Sequence, residues 1–449
     1  MFSLFKDRIF LKNLGWLAIP IIINEMLNSL INMMDTFMTG KLGAASVTAI
    51  GLGNQVFFLF SLITFGICSG ASIFMGQYWG NNDIKSVHKV MGIAYLMVII
   101  DSAVFFIGAV FLPEVIMEIY SKDPEVIKLG AGYLRVVGFS YILTGLIVVD
   151  NAALKATRCA MQPMITTFIS LIVNIICNSI FIFVMKMGVV GAAFGTLCAR
   201  TIELITQIVI IKARNNAVLA NVGDYFKLDK AFLKNYFIIT TPVLLNEFMW
   251  ALGTTVYNIA YKYAGTISQA AVQVANVVQN LFVVFGMGVG ASCGILISNA
   301  LGARDKDKAI DYAKKCTYLA ILCSIFLGAI LFTISPFVVN LFDIENEGKH
   351  YAELMLWVVS VGMLFKTINY INIVGILRNG GDTVFCFICD TASVWFVGVP
   401  MAFLGAKYLG LPIYIVYAMV YSEEVFKTIV SQTRVIRKTW LKTVIEKKF

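Results

Sequence analysis

The 449-residue chain has few charged residues and almost no histidine: 14% of it is Asp, Glu, Lys or Arg, and His occurs only at His88 and His350. Soluble globular proteins carry about 25% charged residues. Together with a hydrophobic content of 59%, the low charge excludes an ordinary soluble protein. Two histidines, both in polar connections, leave little for zinc or haem chemistry or for a histidine-based catalytic cluster.

The nine cysteines show no regular pairing. The pair Cys386 and Cys389 has C-x-x-C spacing, but it lies in the apolar run Phe-Cys-Phe-Ile-Cys without a second such pair nearby. We therefore interpret the cysteines as packing residues and expect no cofactor. The basic N-terminus lacks an A-x-A-like cleavage site, which favours an uncleaved first span over a signal peptide.

Long apolar segments dominate the rest of the chain. A helix that crosses a membrane needs about 20 residues, and we predict twelve such spans with short connections. They lie at 14–37, 48–75, 90–112, 129–150, 163–185, 189–212, 236–258, 270–298, 314–341, 351–376, 384–406 and 411–433. The sequence thus predicts an all-α polytopic membrane protein without a separate soluble domain.

The net charge of +9 is a topology signal and does not indicate a nucleic-acid partner. With both termini in the cytoplasm, 24 of the 35 Lys and Arg residues fall in cytoplasmic regions, and seven fall in outer loops. This asymmetry follows the positive-inside rule.

The two halves of the chain resemble each other at an offset of about 222 residues. The matches are Phe10-Leu11-Lys12-Asn13 with Phe232-Leu233-Lys234-Asn235, Pro20 with Pro242, and Asn24-Glu25 with Asn246-Glu247. We predict an N-lobe at 1–213, a cytoplasmic linker at 214–231 and a C-lobe at 232–449 with a basic tail. The amphipathic run 229–234 is expected on the membrane surface. Two pseudo-symmetric six-helix lobes are typical of transporters whose lobes rock about a substrate site.

Polar residues form a stripe on the first span. At about 100° per residue, Asn24, Asn28, Asn32 and Asp35 share a helix face, with Glu25 at its border. One interpretation is a polar face satisfied by a neighbouring helix, and the other is the wall of a hydrated cavity. Intramembrane acids favour the second.

The second half repeats this stripe with Asn246, Glu247 and Tyr257, where Tyr257 takes the place of Asp35. In the first half, Asn174 and Asn178 share a helix face, and Thr196 lies on the next span. Together with Asp35 they form an all-oxygen set that suits a monovalent cation. The same acid is alternatively a proton carrier.

Other charges within the spans have structural interpretations. Arg200 with Glu203 is expected to be an ion pair, and Glu423, Glu424 and Lys427 are expected to neutralise one another. Asp150 has Lys155 and Arg158 near it in sequence. Lys366 and Asp390 either pair across helices or face the cavity of the second lobe.

The spacing of several motifs resembles the MATE (multidrug and toxic compound extrusion) family along essentially the whole chain. The motifs are Asp35-Thr36-x-x-x-Gly40-x-x-Gly43, Lys155 to Pro163-Met164, Gly191-Ala192-Ala193-x-x-Thr196, and Leu377-Arg378-x-Gly380-Gly381-Asp382-Thr383. The resemblance implies an ion site of Asp35, Asn174, Asn178 and Thr196 with a carbonyl near Ala192, and a C-lobe acid at Glu247. Many bacterial members have an Asp where this chain has Thr367, so the C-lobe cation site is in doubt.

From the residues and this resemblance we expect an antiporter, not an enzyme. It exports cationic amphipathic molecules in exchange for Na⁺ or H⁺ by alternating access, and works as a monomer in the bacterial inner membrane. The alternatives are a flippase for lipid-linked saccharides, which needs a basic cavity, and a membrane-embedded enzyme, which needs a catalytic cluster.

Overall fold

A computed structural model describes residues 7–225, 230–342 and 344–445, except the side chains of Thr36 and Val222. Parts of two predicted segments therefore lie outside the described residues: 226–229 of the linker, and 446–449 of the basic tail. The first six residues of the predicted N-lobe and Asp343 also lie outside them.

The described residues are helical and contain no β-strand, which confirms the predicted all-α class. Eleven helices among them are long and apolar enough to cross a membrane. They are α1 (Arg8–Gly40), α2 (Ala44–Gly80), α3 (Ile84–Phe111), α5 (Pro124–Ala156), α6 (Met161–Val184), α7 (Gly188–Ala213), α9 (Lys230–Ala264), α10 (Thr266–Gly302), α11 (Lys306–Val339), α12 (Asn346–Leu377) and α13 (Thr383–Tyr408). Shorter helices are α4 (Pro113–Tyr120), α8 (Val222–Tyr225), α14 (Ile413–Val420) and α15 (Ser422–Ile436).

The predicted twelfth span is divided into α14 and α15 at Tyr421. The ring of Tyr421 packs where a Cβ on Gly362 would overlap it, and its hydroxyl donates to Gln279 Oε1 at 2.5 Å. After this break, α15 begins with two acids, Glu423 and Glu424, in its first turn. Carboxylates there complement the positive end of the helix dipole.

The amphipathic run predicted on the membrane surface is not a separate surface element. Its residues from Lys230 onward form the first turns of α9, which continues into the apolar sequence that follows, and residue 229 lies outside the described residues. An amphipathic pattern of six residues is too short to distinguish a surface helix from the end of a spanning one.

The chain forms two compact units, each with its own buried core. The N unit is Ile23–Thr240, and the C unit consists of the residues up to Ile22 together with those from Thr241 onward. Both boundaries fall inside long helices, α1 and α9, close to Pro20 and Pro242. A proline inside a helix removes a backbone hydrogen bond, so each boundary lies at a weakened turn.

Three of the long helices contain π-helical stretches. They are Ser179–Val184 in α6, Tyr370–Leu377 in α12, and Ser393–Gly398 and Leu404–Tyr408 in α13. Such stretches shift the pattern of backbone hydrogen bonds and are frequent at functional sites.

Candidate ion and substrate sites

In the N unit, α1, α6 and α7 bring the predicted oxygen set around Asp35. Asn178 Nδ2 donates to Asp35 Oδ1 at 2.6 Å and lies 3.3 Å from Asn174 Oδ1. Thr196 Oγ1 lies 3.5 Å from Asp35 Oδ2 and 3.2 Å from the carbonyl oxygen of Ala192. The carboxylate therefore has an amide and a hydroxyl within reach, and both asparagines are fully buried.

Two buried polar atoms at this site have no hydrogen-bond partner among the described residues. They are Asn174 Nδ2 and Asn178 Oδ1. The latter lies against Gly195, where a Cβ would overlap it. An unsatisfied buried amide atom costs about 1–3 kcal/mol, so turning Asn178 to present its oxygen to a bound cation would relieve one of these costs.

The donor set of this site suits a hard monovalent cation or a proton. Carboxylate, amide, hydroxyl and carbonyl oxygens are available at Asp35, Asn174, Asn178, Thr196 and Ala192. Within the described ranges, no group of three or more His, Cys, Asp and Glu side chains is placed to hold a metal ion. With one acid in the set, a singly charged ion is sufficient to neutralise it.

The remaining residues of the α1 stripe have different environments. Asn28 is half-buried and Asn32 is exposed. Glu25 is ion-paired with Lys155, whose Nζ lies 3.1 Å from Glu25 Oε1. The charge of Glu25 is therefore shared with a basic residue near the end of α5.

Asn24 starts a buried chain of polar contacts across the N unit. Its Nδ2 donates to Thr167 Oγ1 at 2.8 Å, and that hydroxyl donates to Glu203 Oε1 at 2.9 Å. Arg200 Nη1 reaches Glu203 Oε2 at 2.7 Å, so the expected Arg200–Glu203 ion pair is present. Asn24 thus belongs to a polar face that neighbouring helices satisfy.

The C unit contains a matching series of polar contacts, made by residues that lie 222 to 224 positions later in the sequence. Asn246 Nδ2 donates to Asp390 Oδ2 at 3.0 Å, and Lys427 Nζ lies 3.3 Å from Asp390 Oδ1. Lys427 also lies 4.0 Å from Glu424 Oε2.

The two series of polar contacts join corresponding positions in the N and C units, but their side chains carry different charges. The N-unit series Asn, Thr, Glu, Arg becomes Asn, Asp, Lys, Glu in the C unit. An acid of one unit therefore stands where the other has a base. The lysine partner of Asp390 is Lys427, and the alternative in which Lys366 pairs with it is wrong: Lys366 Nζ lies over the ring of Tyr421, 5.8 Å from its centroid.

Glu247, the C-unit match of Glu25, is also ion-paired. Arg378 Nη1 lies 3.0 Å from Glu247 Oε1, and the side chains are 3% and 15% exposed, respectively. In the Lys155–Glu25 pair the corresponding values are 21% and 41%. Each unit thus joins an acid of its first helix to a base at the end of its fourth spanning helix, and the C-unit pair is the more buried.

Tyr257 is buried and hydrogen-bonded in the C unit. Its hydroxyl contacts Glu423 Oε2 and lies 3.4 Å from the carbonyl oxygen of Val394. Glu423 and Tyr257 are both only 8% exposed. The place of Asp35 is thus taken by a phenol that reaches a carboxylate on α15.

Several buried contacts of acids were missed by reasoning from the sequence. Thr167 was not singled out, although its position 223 residues before Asp390 was a signal. Asp150 pairs with the hydroxyl of Tyr95, and Asp101 accepts from Thr64 Oγ1 at 2.9 Å. Sequence neighbours suggested Lys155 for Asp150, but that lysine reaches Glu25 instead.

Comparison with known proteins identifies the family. A family model described as MatE matches residues 20–180 and 242–404. The probable multidrug resistance protein YoeA of Bacillus subtilis is 23% identical over 411 residues, which are 90% of this chain and 88% of the relative. The probable multidrug resistance protein NorM of Thermotoga maritima is 22% identical over 424 residues, or 91% of this chain and 90% of the relative.

A solved structure shares the fold. It is described as the outward-facing conformation of a multidrug resistance MATE family transporter of the MOP superfamily. Its TM-score is 0.87 at 20% identity, and the alignment covers 95% of this chain and 97% of the other. The fold and its duplicated polar networks define a multi-pass membrane transporter of two six-helix repeats. This chain belongs to the MatE family, and it is a transporter, not an enzyme.

Proposed function

We propose that the protein is a secondary active antiporter that exports cationic amphipathic molecules in exchange for Na⁺ or H⁺ by alternating access. The observation that carries this proposal is the Asp35 site, where Asn178 lies at 2.6 Å and Thr196 at 3.5 Å from one carboxylate. The names of the curated relatives, which describe multidrug resistance proteins, support the substrate class.

In the proposed cycle, Asp35 binds the coupling ion while α1 repacks at Pro20, and release of that ion accompanies the uptake of substrate. The ion site and the substrate site are proposed to be separate, so their ligands are coupled through one conformational equilibrium. Ion binding at Asp35 and substrate binding at Glu25 and Glu247 therefore have to favour different conformations of the protein. Asn28, Asn32, Glu25 and Glu247 are the proposed substrate contacts. Glu25 and Glu247 are ion-paired with Lys155 and Arg378, so an organic cation is proposed to compete with these bases for the two carboxylates.

The proposed orientation places both termini in the cytoplasm of a bacterial inner membrane, with the lobes at 1–213 and 232–449 and a monomer as the working unit. The distribution of Lys and Arg supports the orientation. Reporter fusions at the C-terminus that are active only in the cytoplasm test it, and light scattering in detergent tests the monomer.

Dye efflux from proteoliposomes tests the coupling. A Na⁺ gradient and a pH gradient are imposed separately, and the wild type is expected to respond to one of them. Asp35→Asn is expected to lose gradient-driven efflux because an amide neither ionises nor binds a cation as strongly. Normal efflux by this variant under both gradients contradicts the proposal.

The matched control is Asp101→Asn, the same change at another buried acid of the N unit, which accepts from Thr64 and is not among the contacts of Asp35. Efflux by this variant is expected to remain dependent on the gradient that drives the wild type. A flippase of the same superfamily would need a basic cavity for pyrophosphate, whereas the residues proposed here are acids and amides.

A further inference from the structure

Glu423 is a buried carboxylate whose hydrogen-bond donor is a phenol. The Tyr257 hydroxyl donates to its Oε2, and both side chains are 8% exposed. The α13 backbone closes over the pair at Gly398, where a Cβ would overlap both the Tyr257 hydroxyl oxygen and Glu423 Oε2. Only glycine leaves room for this contact.

The charges around Glu423 do not balance. Through Lys427, Glu423 belongs to a cluster with the acids Asp390 and Glu424 and the bases Lys366 and Lys427. The Arg378–Glu247 pair next to Asp390 is neutral and leaves the excess of one acid unchanged. Lys427 serves two of the acids, at 3.3 Å from Asp390 and 4.0 Å from Glu424. Among the described residues, Glu423 has no cationic group within 4 Å.

An uncompensated charge inside a membrane protein is unfavourable. Three acids with two bases leave a net charge of −1, and the positive end of α15 offsets only part of it. A metal cation is disfavoured because Lys366 and Lys427 already supply positive charge to the cluster. A proton on one carboxylate restores neutrality without adding a second charge.

The hydrogen bonds accommodate that proton at Glu423. In the charged form, the Tyr257 hydroxyl donates to the carboxylate. When the carboxyl takes a proton, its O–H donates to the phenol oxygen, and the phenol proton turns to the carbonyl oxygen of Val394, 3.4 Å away. The single donor of the charged form and both donors of the protonated form are thus satisfied, and the net change is one proton bound from water.

The acceptor for the phenol is part of the π-helical stretch Ser393–Gly398, which directs the Val394 carbonyl to Tyr257. Tyr257 itself stands 222 residues after Asp35. The C unit thus has a proton-accepting group near the place that Asp35 occupies in the N unit, but the carboxylate is supplied by α15.

We propose that Glu423, Tyr257 and the Val394 carbonyl form a proton-binding site in the C unit, in addition to the ion site at Asp35. This inference rests on the proposed antiport in one respect: the bound proton is one that the transport cycle takes up and releases. The titratable and charged groups that face Glu423 are Tyr257 and Tyr261 of α9, Lys366 of α12, and Glu424 and Lys427 of α15, and Asp390 of α13 joins the cluster through Lys427.

Infrared difference spectroscopy of the purified full-length protein tests the site. A protonated carboxylic acid has a C=O stretch that ionised carboxylates lack. We expect such a band near neutral pH, its loss in Glu423→Gln and its shift in Tyr257→Phe, because the phenol is its hydrogen-bond partner. Glu25→Gln in the N unit is the control, because it removes a carboxylate without changing the charges around Glu423, and it is expected to retain the band.

A band that is unchanged in Glu423→Gln overturns the inference, and so does one that disappears in Glu25→Gln alone. If Glu423→Gln does not fold, Tyr257→Phe decides: an unshifted band overturns the proposal. The number of protons that the purified protein takes up from a weakly buffered solution is a second measurement. Glu423→Gln is expected to take up one proton fewer than the wild type. An equal count contradicts the inference.

The two proposals fail differently. Normal gradient-driven efflux by Asp35→Asn refutes the proposed antiport while leaving the infrared band at Glu423 intact. Conversely, a missing effect of Glu423→Gln on the band and on proton uptake refutes the second site while leaving coupling at Asp35 untouched.

Discussion

Breaking the Arg378–Glu247 ion pair from one side is expected to cost more stability than breaking its counterpart in the N unit, Lys155–Glu25. The Arg378 side chain is 3% exposed and Glu247 is 15% exposed, whereas Lys155 and Glu25 are 21% and 41% exposed. Arg378→Met removes the guanidinium and keeps the apolar volume, which leaves Glu247 with a buried charge. Breaking a buried ion pair from one side costs about 3–5 kcal/mol.

Lys155→Met makes the equivalent change in the N unit. Because this pair is more exposed than the C-unit pair, its loss is expected to cost no more than about 1 kcal/mol. For a domain of about 150–250 residues, 1 kcal/mol corresponds to about 2–4 °C in Tm. The expected decrease is therefore roughly 6–20 °C for Arg378→Met and at most roughly 4 °C for Lys155→Met.

Thermal unfolding in detergent, followed with a dye that reacts with newly exposed cysteines, measures both values, since several of the nine free cysteines are buried. The double variant Arg378→Met with Glu247→Gln is expected to recover most of the loss because it removes the unpaired charge. Equal decreases for Arg378→Met and Lys155→Met would refute the reasoning, and so would a double variant that is no more stable than Arg378→Met.

Three further predictions concern single contacts. Gly195→Ala is expected to displace Asn178 and to reduce gradient-driven dye efflux without unfolding the protein, because the new Cβ would overlap Asn178 Oδ1. The hydrogen bond from Lys315 holds the pKa of Asp7 below its usual range, so Asp7→Asn is expected to lose no more than about 1 kcal/mol at neutral pH. The difference in stability between the wild type and Asp7→Asn should decrease once the pH falls below about 3.9, the usual pKa of Asp, and disappear below the lowered pKa of Asp7. Thermal unfolding at several pH values measures it. Trp440→Ala is expected to destabilise by about 3–5 kcal/mol, measured by the same unfolding assay, because Trp440 is only 1% exposed.

Each of these has a control or a contrary result. Gly51→Ala is the control for the glycine variant, since nothing lies within 4 Å of its added Cβ, and equal efflux by the two alanine variants contradicts the role given to Asn178. A loss in Asp7→Asn that persists in acid shows that the ion pair is not its cause. An unchanged Tm in Trp440→Ala contradicts the tight packing of that ring against Gly380.

Apolar runs, loop charges and the repeated motifs were sufficient to predict the all-helical membrane fold. These signals are local, because a run of about 20 apolar residues defines a span wherever it packs. Local periodicity also placed Asn174 and Asn178 on one face, and the structure brings them to Asp35 with Thr196. The break at Tyr421 escaped prediction because it depends on a contact with Gly362 of another helix.

The partners of the charged side chains were decided by tertiary structure. The sequence alone determined which residues are acids and bases within the spans, and the duplication determined which positions correspond. Whether Lys155 reaches Asp150 or Glu25, and whether Asp390 pairs with Lys366 or Lys427, depends on the rotation and separation of neighbouring helices. The Tyr257–Glu423 contact likewise requires the close approach of α13 at Gly398. Such contacts join residues on different helices, 37 positions apart for Asp390 with Lys427 and 166 for Tyr257 with Glu423, so no local pattern specifies them.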